Sequence, residues 1–205
     1  MRGNVYAGVD LSATAKRETA VCVVRMGTSA EFFQVRTDDE LLDVLERVSP
    51  RFVAIDAPLT LPSTGRGLRR CDAEVRRMGV PILPPAMGPM RMLSERGARV
   101  AGLLRERGMR VIEVYPRGVQ RTLGLIGRGE RPSSVVAQRI ASLLRVRVAE
   151  ELGVDEIDAL TCALVAFLHD VNKTVELGDP EEGTIVMPSP EAMKELRRLL
   201  CSSER

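Results

Sequence analysis

The sequence has a single histidine and few aromatic residues, and both absences disfavour particular kinds of site. With one histidine among 205 residues, a histidine-rich metal site, a Ser/His/Asp triad and a histidine-based proton relay are all disfavoured. Aromatic residues make up 3% of the chain, which leaves few rings for stacking on nucleic-acid bases. The 44% of hydrophobic residues nevertheless suffice for a sizeable core, and the length suits one globular domain.

Patterns typical of membrane spans, secretion and cysteine chemistry are also missing. No apolar run approaches the ~18 residues that a membrane helix needs. The N-terminus lacks a basic head followed by an apolar stretch, so we expect no signal peptide, no membrane association and a cytoplasmic location. The four cysteines form no C-x-x-C pair, which removes the usual support for a zinc site or for thioredoxin-like chemistry.

The glycine-rich loops that commonly bind phosphate are absent as well. There is no G-x-x-x-x-G-K-[ST] segment, and Gly65-Arg66-Gly67 does not continue as G-x-G-x-x-G. No G-x-S-x-G segment is present, so the nucleophile elbow of the α/β-hydrolases is not expected either. The candidates that remain are acidic residues in otherwise apolar segments.

Lysine is scarce, and the positive charge is concentrated in the middle of the chain. Between residues 65 and 147 there are 18 arginines and no lysine against six acidic residues, whereas the net charge of the whole chain is only +2. A strongly basic segment between acidic flanks favours a polyanionic partner, and arginine binds phosphate oxygens with two parallel hydrogen bonds. The alternative is that these arginines lie on solvated helix faces and bind nothing.

The pattern of apolar residues predicts an α/β protein with a sheet of mixed direction. Strands are predicted at residues 4–11, 19–26, 31–36, 51–57, 110–115 and 182–188. Helices are predicted from 38 or 39 to 48, at 68–78, 90–107, 132–152 and 155–170, and from 190 onward. The order of the elements, β-β-β-α-β, then an insertion, then β-α-α, indicates an α/β sheet of mixed direction.

Four acidic residues occupy positions where an apolar residue is expected. Asp10 and Asp56 lie near the ends of the first and fourth predicted strands, and Glu113 interrupts the fifth. Asp158 opens the apolar part of the helix at 155–170. A buried carboxylate without a partner is costly, so such groups should be paired or bound to metal. Carboxylates gathered at one edge of a sheet would form an oxygen-only site for Mg²⁺ or Mn²⁺.

Each of these acids also has a simpler interpretation. Asp10 and Asp56 would fit as turn residues after their strands. Asp155 and Asp158 would fit as the N-cap and the third residue of their helix, where carboxylates accept hydrogen bonds from free amide groups. Glu113 would fit as a charge on an edge strand or as a salt-bridge partner.

Several segments together resemble one family of uncharacterised proteins. In chain order these segments are G-V-D-L-S-A, V-A-I-D-A-P-L-x-L-P, R-x-C-D-x-E-x-R, E-V-Y-P, D-x-x-D-A-L-x-C-A-L-x-A and E-G-T-I-V-M-P. They resemble domain of unknown function family 429, whose members are regarded as nucleases of ribonuclease H fold. The resemblance spans almost the whole chain in the right order.

The resemblance implies a specific architecture. A ribonuclease H-like fold has a five-stranded mixed sheet, with its first three strands antiparallel and helices on both faces. It would make residues 1–205 a single domain with a helical insertion after the fourth strand, at about 58–109. Its acids lie on the first and fourth strands and on a late helix, which correspond here to Asp10, Asp56 and Asp158.

The resemblance also implies a metal-dependent nuclease that hydrolyses phosphodiester bonds by a two-metal mechanism. Asp10 would bridge two Mg²⁺ or Mn²⁺ ions, and Asp56 and Asp158 would hold one each. Glu113 belongs to the family's own E-V-Y-P motif and is a further candidate catalytic residue. Asp155 resembles the paired acids of the Holliday-junction resolvase branch, which leaves its role open between metal ligand and helix cap.

The implied partner is nucleic acid, either DNA or RNA. Arg66, Arg70 and Arg76 are the candidates for contacts to phosphates next to the scissile one. Neither the residues nor the resemblance decides the oligomeric state, so a homo-oligomer stays open.

Two alternatives of other classes share the same fold. Actin-like ATPases and sugar kinases open with a strand, an Asp and a hydroxyl-rich turn, which Asp10–Thr14 imitates without the usual glycine. Those proteins duplicate the domain, and 205 residues do not hold two copies. A non-catalytic nucleic-acid-binding protein of this fold is the other alternative.

Overall fold

A mixed five-stranded sheet forms the centre of the protein in the computed structural model, which describes residues 4–202. Its strands are β1 (Val5–Asp10), β2 (Thr19–Arg25), β3 (Ser29–Val35), β4 (Val53–Asp56) and β5 (Val111–Glu113). Their order across the sheet is β3-β2-β1-β4-β5, with β2 antiparallel to both β1 and β3, and β4 parallel to both β1 and β5. The predicted five-stranded mixed sheet is therefore confirmed.

Helices cover both faces of this sheet. They are α1 (Asp38–Val48), α2 (Arg70–Arg77), α3 (Pro89–Glu106), α4 (Pro116–Thr122), α5 (Ser134–Leu144), α6 (Val154–Asp170) and α7 (Pro190–Ser202). One core forms between the sheet and α1 with α3, and the other between the sheet and α4 to α7. Within residues 4–202, no helix combines the length and the apolar character that crossing a membrane requires.

A hairpin of two strands, β6 (Thr174–Asp179) and β7 (Gly183–Pro188), lies beside the open edge of the sheet. An isolated bridge joins Val114, just after β5, to Val186 in β7. The hairpin thus shields β5, which would otherwise expose unpaired backbone groups. Helix α2 packs against the same hairpin, so the segment between β4 and β5 is held at this edge.

Three elements differ from the sequence prediction. The helix predicted at 132–152 ends at Leu144, because Arg145 adopts a left-handed conformation and the following residues run beside β3. The amide of Ala30 donates to the carbonyl of Arg147 at 3.1 Å. This bond pairs an amide of the edge strand β3, which would have no partner if residues 145–152 continued the helix. Helix α4 and strand β6 were not predicted, since Pro116 indicated only the end of a strand and 174–179 is partly exposed.

The close approach of α6 to β1 depends on Gly8. A Cβ atom at Gly8 would lie 1.9 Å from the carbonyl oxygen of Ala159 and 2.4 Å from the amide nitrogen of Ala163. Such distances leave no room for any side chain, so the helix and strand backbones are in direct contact here. All residues of α6 from Ile157 to Ala166 are buried, which makes it the central helix of its layer.

We expect Gly8→Ala to lower the free energy of unfolding by about 3 kcal/mol or more, because the methyl group forces two backbones apart. The measurement is urea unfolding followed by circular dichroism. Gly102→Ala in α3 is the matched control: an added Cβ there meets no atom within 4 Å, and replacing a helical glycine should stabilise by about 0.5–1 kcal/mol. Equal stability of the two variants would show that α6 does not need this approach.

Candidate active site

Asp10 and Asp56 are neighbours at the edge of the sheet where the parallel strands β1 and β4 end. Their Cα atoms are direct partners in the register between the strands, so both side chains point to the same face. Gly8 lies two residues before Asp10 and faces α6, so the two carboxylates also lie on the α6 side. The sheet therefore brings together two acids that are far apart in the sequence.

Asp158 reaches the same region from the second turn of α6. Its carboxylate is buried and fully engaged: Arg117 Nε donates to Oδ2 and Gln120 Nε2 donates to Oδ1, each at 2.7 Å. Gln120 also donates to the hydroxyl of Thr161 at 2.9 Å, which leaves its buried Oε1 without a partner in the described part of the chain. The third acid is thus held in place by helix α4.

Arg117 and Gln120 were not identified from the sequence. The available signal was weak: Pro116 suits the first position of a helix, and residues 117 and 120 have the spacing of neighbours on one helix face. Nothing in the local pattern indicates that this short helix faces Asp158. That contact is made only when α4 packs against α6.

The acids raise one another's pKa values. Burial and then the carboxylates of Asp158 and Asp155 raise the pKa of Asp10 to about 7. The pKa of Asp56 is raised well above its ordinary value by burial and then by Asp10 and Asp158. Burial also raises the pKa of Asp158, although the hydrogen bond and the charge of Arg117 counteract it. The site therefore concentrates more negative charge than its protein neighbours neutralise.

The carboxylates of Asp10 and Asp56 have no hydrogen-bond or ion-pair partner among residues 4–202, and both remain partly exposed. This distinguishes them from the third acid, whose oxygens are both occupied. In the same described residues, no three His, Cys, Asp or Glu side chains approach closely enough to hold a metal ion as they stand. The site thus consists of an unpartnered pair with a third, ion-paired carboxylate nearby.

Asp155 is not a helix cap. The N-cap of α6 is Gly153, and Glu156 is the third helical residue, whose carboxylate accepts a hydrogen bond from the Gly153 amide at 2.7 Å. The interpretation of Asp155 and Asp158 as capping residues is therefore wrong. Asp155 is exposed and lines, together with Asp10, a cavity of about 300 Å³. Its position makes it a member of the acidic site.

Glu113 points to the opposite face from Asp10 and Asp56. Its partner in the register is Ile55, which packs in the core on the α1 and α3 side. There its carboxylate accepts two hydrogen bonds from the buried guanidinium of Arg69, at 2.8 and 2.5 Å, and one from the amide of Leu59 at 2.8 Å. Burial raises the pKa of Glu113, and Arg69 counteracts part of that shift. Glu113 thus belongs to a buried ion pair on the other face of the sheet, although it lines one cleft together with Asp56.

Two buried arginines fix the loops that follow the strands bearing the acids. Arg69 binds Asp72 through two nitrogens, at 3.0 and 2.8 Å, and donates to the hydroxyl of Thr60 at 3.0 Å. Arg96 of α3 donates to Asp38 at 2.9 Å and to the carbonyl oxygen of Ser12 at 2.8 Å. Sequence analysis missed both, because in a segment with 18 arginines nothing local marks the buried ones.

The three arginines proposed to bind phosphate are all exposed, but they differ in their partners. Arg70 is the first residue of α2 and pairs with Glu74 at 3.2 Å and with Asp179 at 3.7 Å. Arg66 lies in the loop before α2, and Arg76 lies near its end. Neither Arg66 nor Arg76 forms an ion pair with any residue in 4–202. These two are the freer of the three to bind an anion.

We expect Glu113→Gln to lower the free energy of unfolding by about 1–3 kcal/mol, because the amide NH2 of Gln cannot accept a hydrogen bond from buried Arg69, which leaves a donor without its partner. Urea unfolding measures the change. Glu46→Gln is the matched control, since Glu46 pairs with Arg107 at the surface and such pairs contribute about 0–1 kcal/mol. A Glu113→Gln variant that keeps its stability would argue against a structural ion pair.

The raised pKa of Asp10 predicts how stability depends on pH without metal. The folded pKa of about 7 exceeds the ordinary 3.8, so the folded state binds the proton more tightly. Stability should therefore fall as pH rises from about 4 to 7, by up to about 4 kcal/mol at about 1.4 kcal/mol per pKa unit. Asp10→Asn should flatten this fall, as measured by urea unfolding in EDTA at several pH values. If the stability of the unmodified chain and that of Asp10→Asn change with pH in the same way, the pKa of Asp10 is not raised.

Comparison with solved structures identifies a similar architecture in two of them. The chain is similar to RuvC of Thermus thermophilus in complex with a Holliday junction substrate, with 18% identity and a TM-score of 0.51. It is similar to a second structure of Thermus thermophilus RuvC with 20% identity and a TM-score of 0.50. Each match covers 82% of this chain and 96% of the other. The expected ribonuclease H-like fold is therefore confirmed.

Comparison at the level of sequence gives a family but no characterised relative. No curated protein matches the chain significantly. A family model described as a protein of unknown function, DUF429, matches residues 8–182. That match begins at Gly8 and includes Asp10, Asp56 and Asp158 as well as the loops fixed by Arg69 and Arg96. The chain therefore belongs to the DUF429 family.

Proposed function

We propose that this protein is a metal-dependent nuclease that hydrolyses phosphodiester bonds in nucleic acid. The observation that carries the proposal is the pair of unpartnered, partly exposed carboxylates of Asp10 and Asp56, with Asp158 beside them. The likeness to a RuvC structure that contains a Holliday junction supports nucleic acid as the substrate. Exposed arginines without an ion pair among residues 4–202, such as Arg66, Arg76 and Arg77, would supply positive charge for such a substrate.

The donor chemistry of the site fits Mg²⁺ or Mn²⁺. All the candidate ligands are carboxylate oxygens, which these cations prefer, and their mutual repulsion would be relieved by a cation. Asp10 and Asp56 would hold it directly. Asp158 would contribute after exchanging Arg117 for the metal, and Asp155 is the further acid within reach of Asp10. In a two-metal mechanism the bound ions would supply an activated water and neutralise charge on the leaving oxygen.

The protein's own side chains would position the cation and bind the phosphate. Asp10 is the register partner of Asp56, and the carboxylate of Asp158 raises its pKa, so we assign Asp10 the position between the other two acids. With a pKa of about 7 it is half protonated near neutral pH, and metal binding would release that proton. Once displaced from Asp158, the partly exposed guanidinium of Arg117 would be free to bind a phosphate oxygen.

The remaining assignments follow from position. Arg66 and Arg76 would contact phosphates beside the scissile one, with Arg70 contributing only if it leaves its ion pairs. Glu113 would act as a positioning residue through the loop after Asp56. We keep the expectations of one domain with its insertion at about 58–109 and of a cytoplasmic location.

One observation favours a second candidate, a nucleic-acid-binding protein without catalytic activity. Both oxygens of Asp158 are already occupied by Arg117 and Gln120, so a guanidinium stands where a metal would be expected. In that case the arginine would substitute permanently for the cation. No described contact favours the kinase-like alternative.

We expect Asp10→Asn to reduce Mn²⁺-dependent cleavage of labelled nucleic acid at least about 100-fold, because it removes a carboxylate that would hold the metal. The substrates are a single strand, a duplex and a four-way junction, with products resolved on denaturing gels. Asp43→Asn, an exposed acid of α1, is the matched control and should cleave like the unmodified chain.

Undiminished cleavage by Asp10→Asn would remove Asp10 from the mechanism. If the unmodified chain binds all three substrates but cleaves none with Mn²⁺ or Mg²⁺, the non-catalytic candidate is correct.

A further inference from the structure

An apolar cleft of about 120 Å³ adjoins Asp56 at the edge of the candidate active site. Its walls are formed by Ile82, Leu83, Met90 and Tyr115. Met90 also lines the cavity that contains Asp10, so the cleft and the acidic site share a wall. A group bound in the cleft would therefore lie next to whatever the carboxylates bind.

Tyr115 gives the cleft one rigid, flat wall. Its hydroxyl donates to the carbonyl oxygen of Pro81 at 2.7 Å, which fixes the ring at its outer end. The ring packs on Gly118, where a Cβ atom would lie 2.9 Å from Cδ1, so any larger residue would displace it. Tyr115 is the aromatic residue lining this cleft, and its ring remains partly exposed.

Large apolar side chains are exposed along residues 82–92, the segment that contributes Ile82, Leu83 and Met90 to the cleft lining. Leu83 is 61% exposed, and Met87 and Met92 are exposed to a similar degree. Exposed apolar surface at a cleft is typical of a binding site rather than of a solvated face. The segment follows Arg76 and Arg77, which are exposed and form no ion pair within residues 4–202. A fitting ligand is flat and apolar on its faces and carries negative charge nearby.

We propose that this cleft binds one unstacked nucleobase of a nucleic acid whose adjoining phosphate lies at Asp10 and Asp56. The inference rests on the proposed function and names its substrate class: strands with unpaired nucleotides, such as single strands, loops or branch points. A base within continuous duplex is stacked on both faces and is not available to Tyr115 and Leu83. Apart from Asp56, the charged groups that line the cleft are Arg69, Asp72 and Glu113, which are bonded to one another, so the cleft should discriminate little among bases.

The test measures binding without chemistry. Fluorescence anisotropy in Ca²⁺, which carboxylate oxygens also bind and which replaces Mn²⁺ at the acids, compares a labelled single strand with a blunt duplex of the same sequence, for the unmodified chain and for Leu83→Ser; gels confirm that the label stays on uncleaved strands. Val135→Ser is the matched control, because Val135 is 62% exposed but lies on α5 away from the cleft lining. Tyr115→Leu is a second variant that removes the ring while keeping an apolar side chain. Urea unfolding confirms that each variant is folded.

We expect the unmodified chain to prefer the single strand, and Leu83→Ser and Tyr115→Leu to weaken single-strand binding at least about fivefold, the low end for loss of one stacked base. The affinity for duplex should be the same in every variant, and Val135→Ser should bind both nucleic acids like the unmodified chain. Equal affinity for both nucleic acids, an equal loss on both, or an unaffected Leu83→Ser variant would overturn the inference. A change of oligomeric state in Leu83→Ser, measured by light scattering, would also overturn it, because the exposed apolar surface at Leu83 would then join two copies of the chain.

The binding test and the cleavage test can fail independently of each other. Metal-dependent cleavage with no effect of Leu83→Ser on binding would leave a nuclease without this subsite. Selective single-strand binding lost in Leu83→Ser, without cleavage by the unmodified chain, would establish the subsite on a non-catalytic protein.

Discussion

The direct contact between α6 and β1 at Gly8 is the constraint on which the site depends. With no side chain between the two backbones, the helix lies as close to the central strand as packing allows. Asp10 is two residues beyond Gly8 on the same face, and Asp158 immediately precedes Ala159, which touches Gly8. The approach that closes the core therefore also brings a helical carboxylate near the two strand carboxylates. The same contact at Gly8 therefore determines both the packing of this core and the position of Asp158 in the site.

Bringing carboxylates together has an electrostatic cost, and the protein offsets only part of it. Asp158 is neutralised by Arg117 and bonded to Gln120, whereas Asp10 and Asp56 are left to repel each other at raised pKa values. Elsewhere buried carboxylates have a cationic partner, as Asp72 and Glu113 have in Arg69. Two neighbouring carboxylates without such a partner at one edge of the sheet are typical of a functional site.

The arginines of the middle segment divide into two kinds with different consequences. Arg69 and Arg96 are buried and act as internal clamps: each joins a loop after an acid-bearing strand to the helices inserted between β4 and β5. Arg66, Arg76 and Arg77 are exposed without ion pairs in residues 4–202. The segment between β4 and β5 therefore both fixes the loops of the acidic site and carries arginines that are free to bind an anion.

The sequence by itself determined the position of each acid along its element. Periodicity placed Asp10 and Asp56 at strand ends and Asp158 in an apolar helix, because burial patterns depend on neighbours within a few residues. Only the tertiary structure decided which groups meet. Arg69, which binds Glu113, lies 44 residues from it in the sequence, and Gln120, which binds Asp158, lies 38 residues from it. Such pairs depend on how helices pack against the sheet, and a local pattern carries no information about that packing. For the same reason, Arg69 and Asp155 became interpretable only when their surroundings were known.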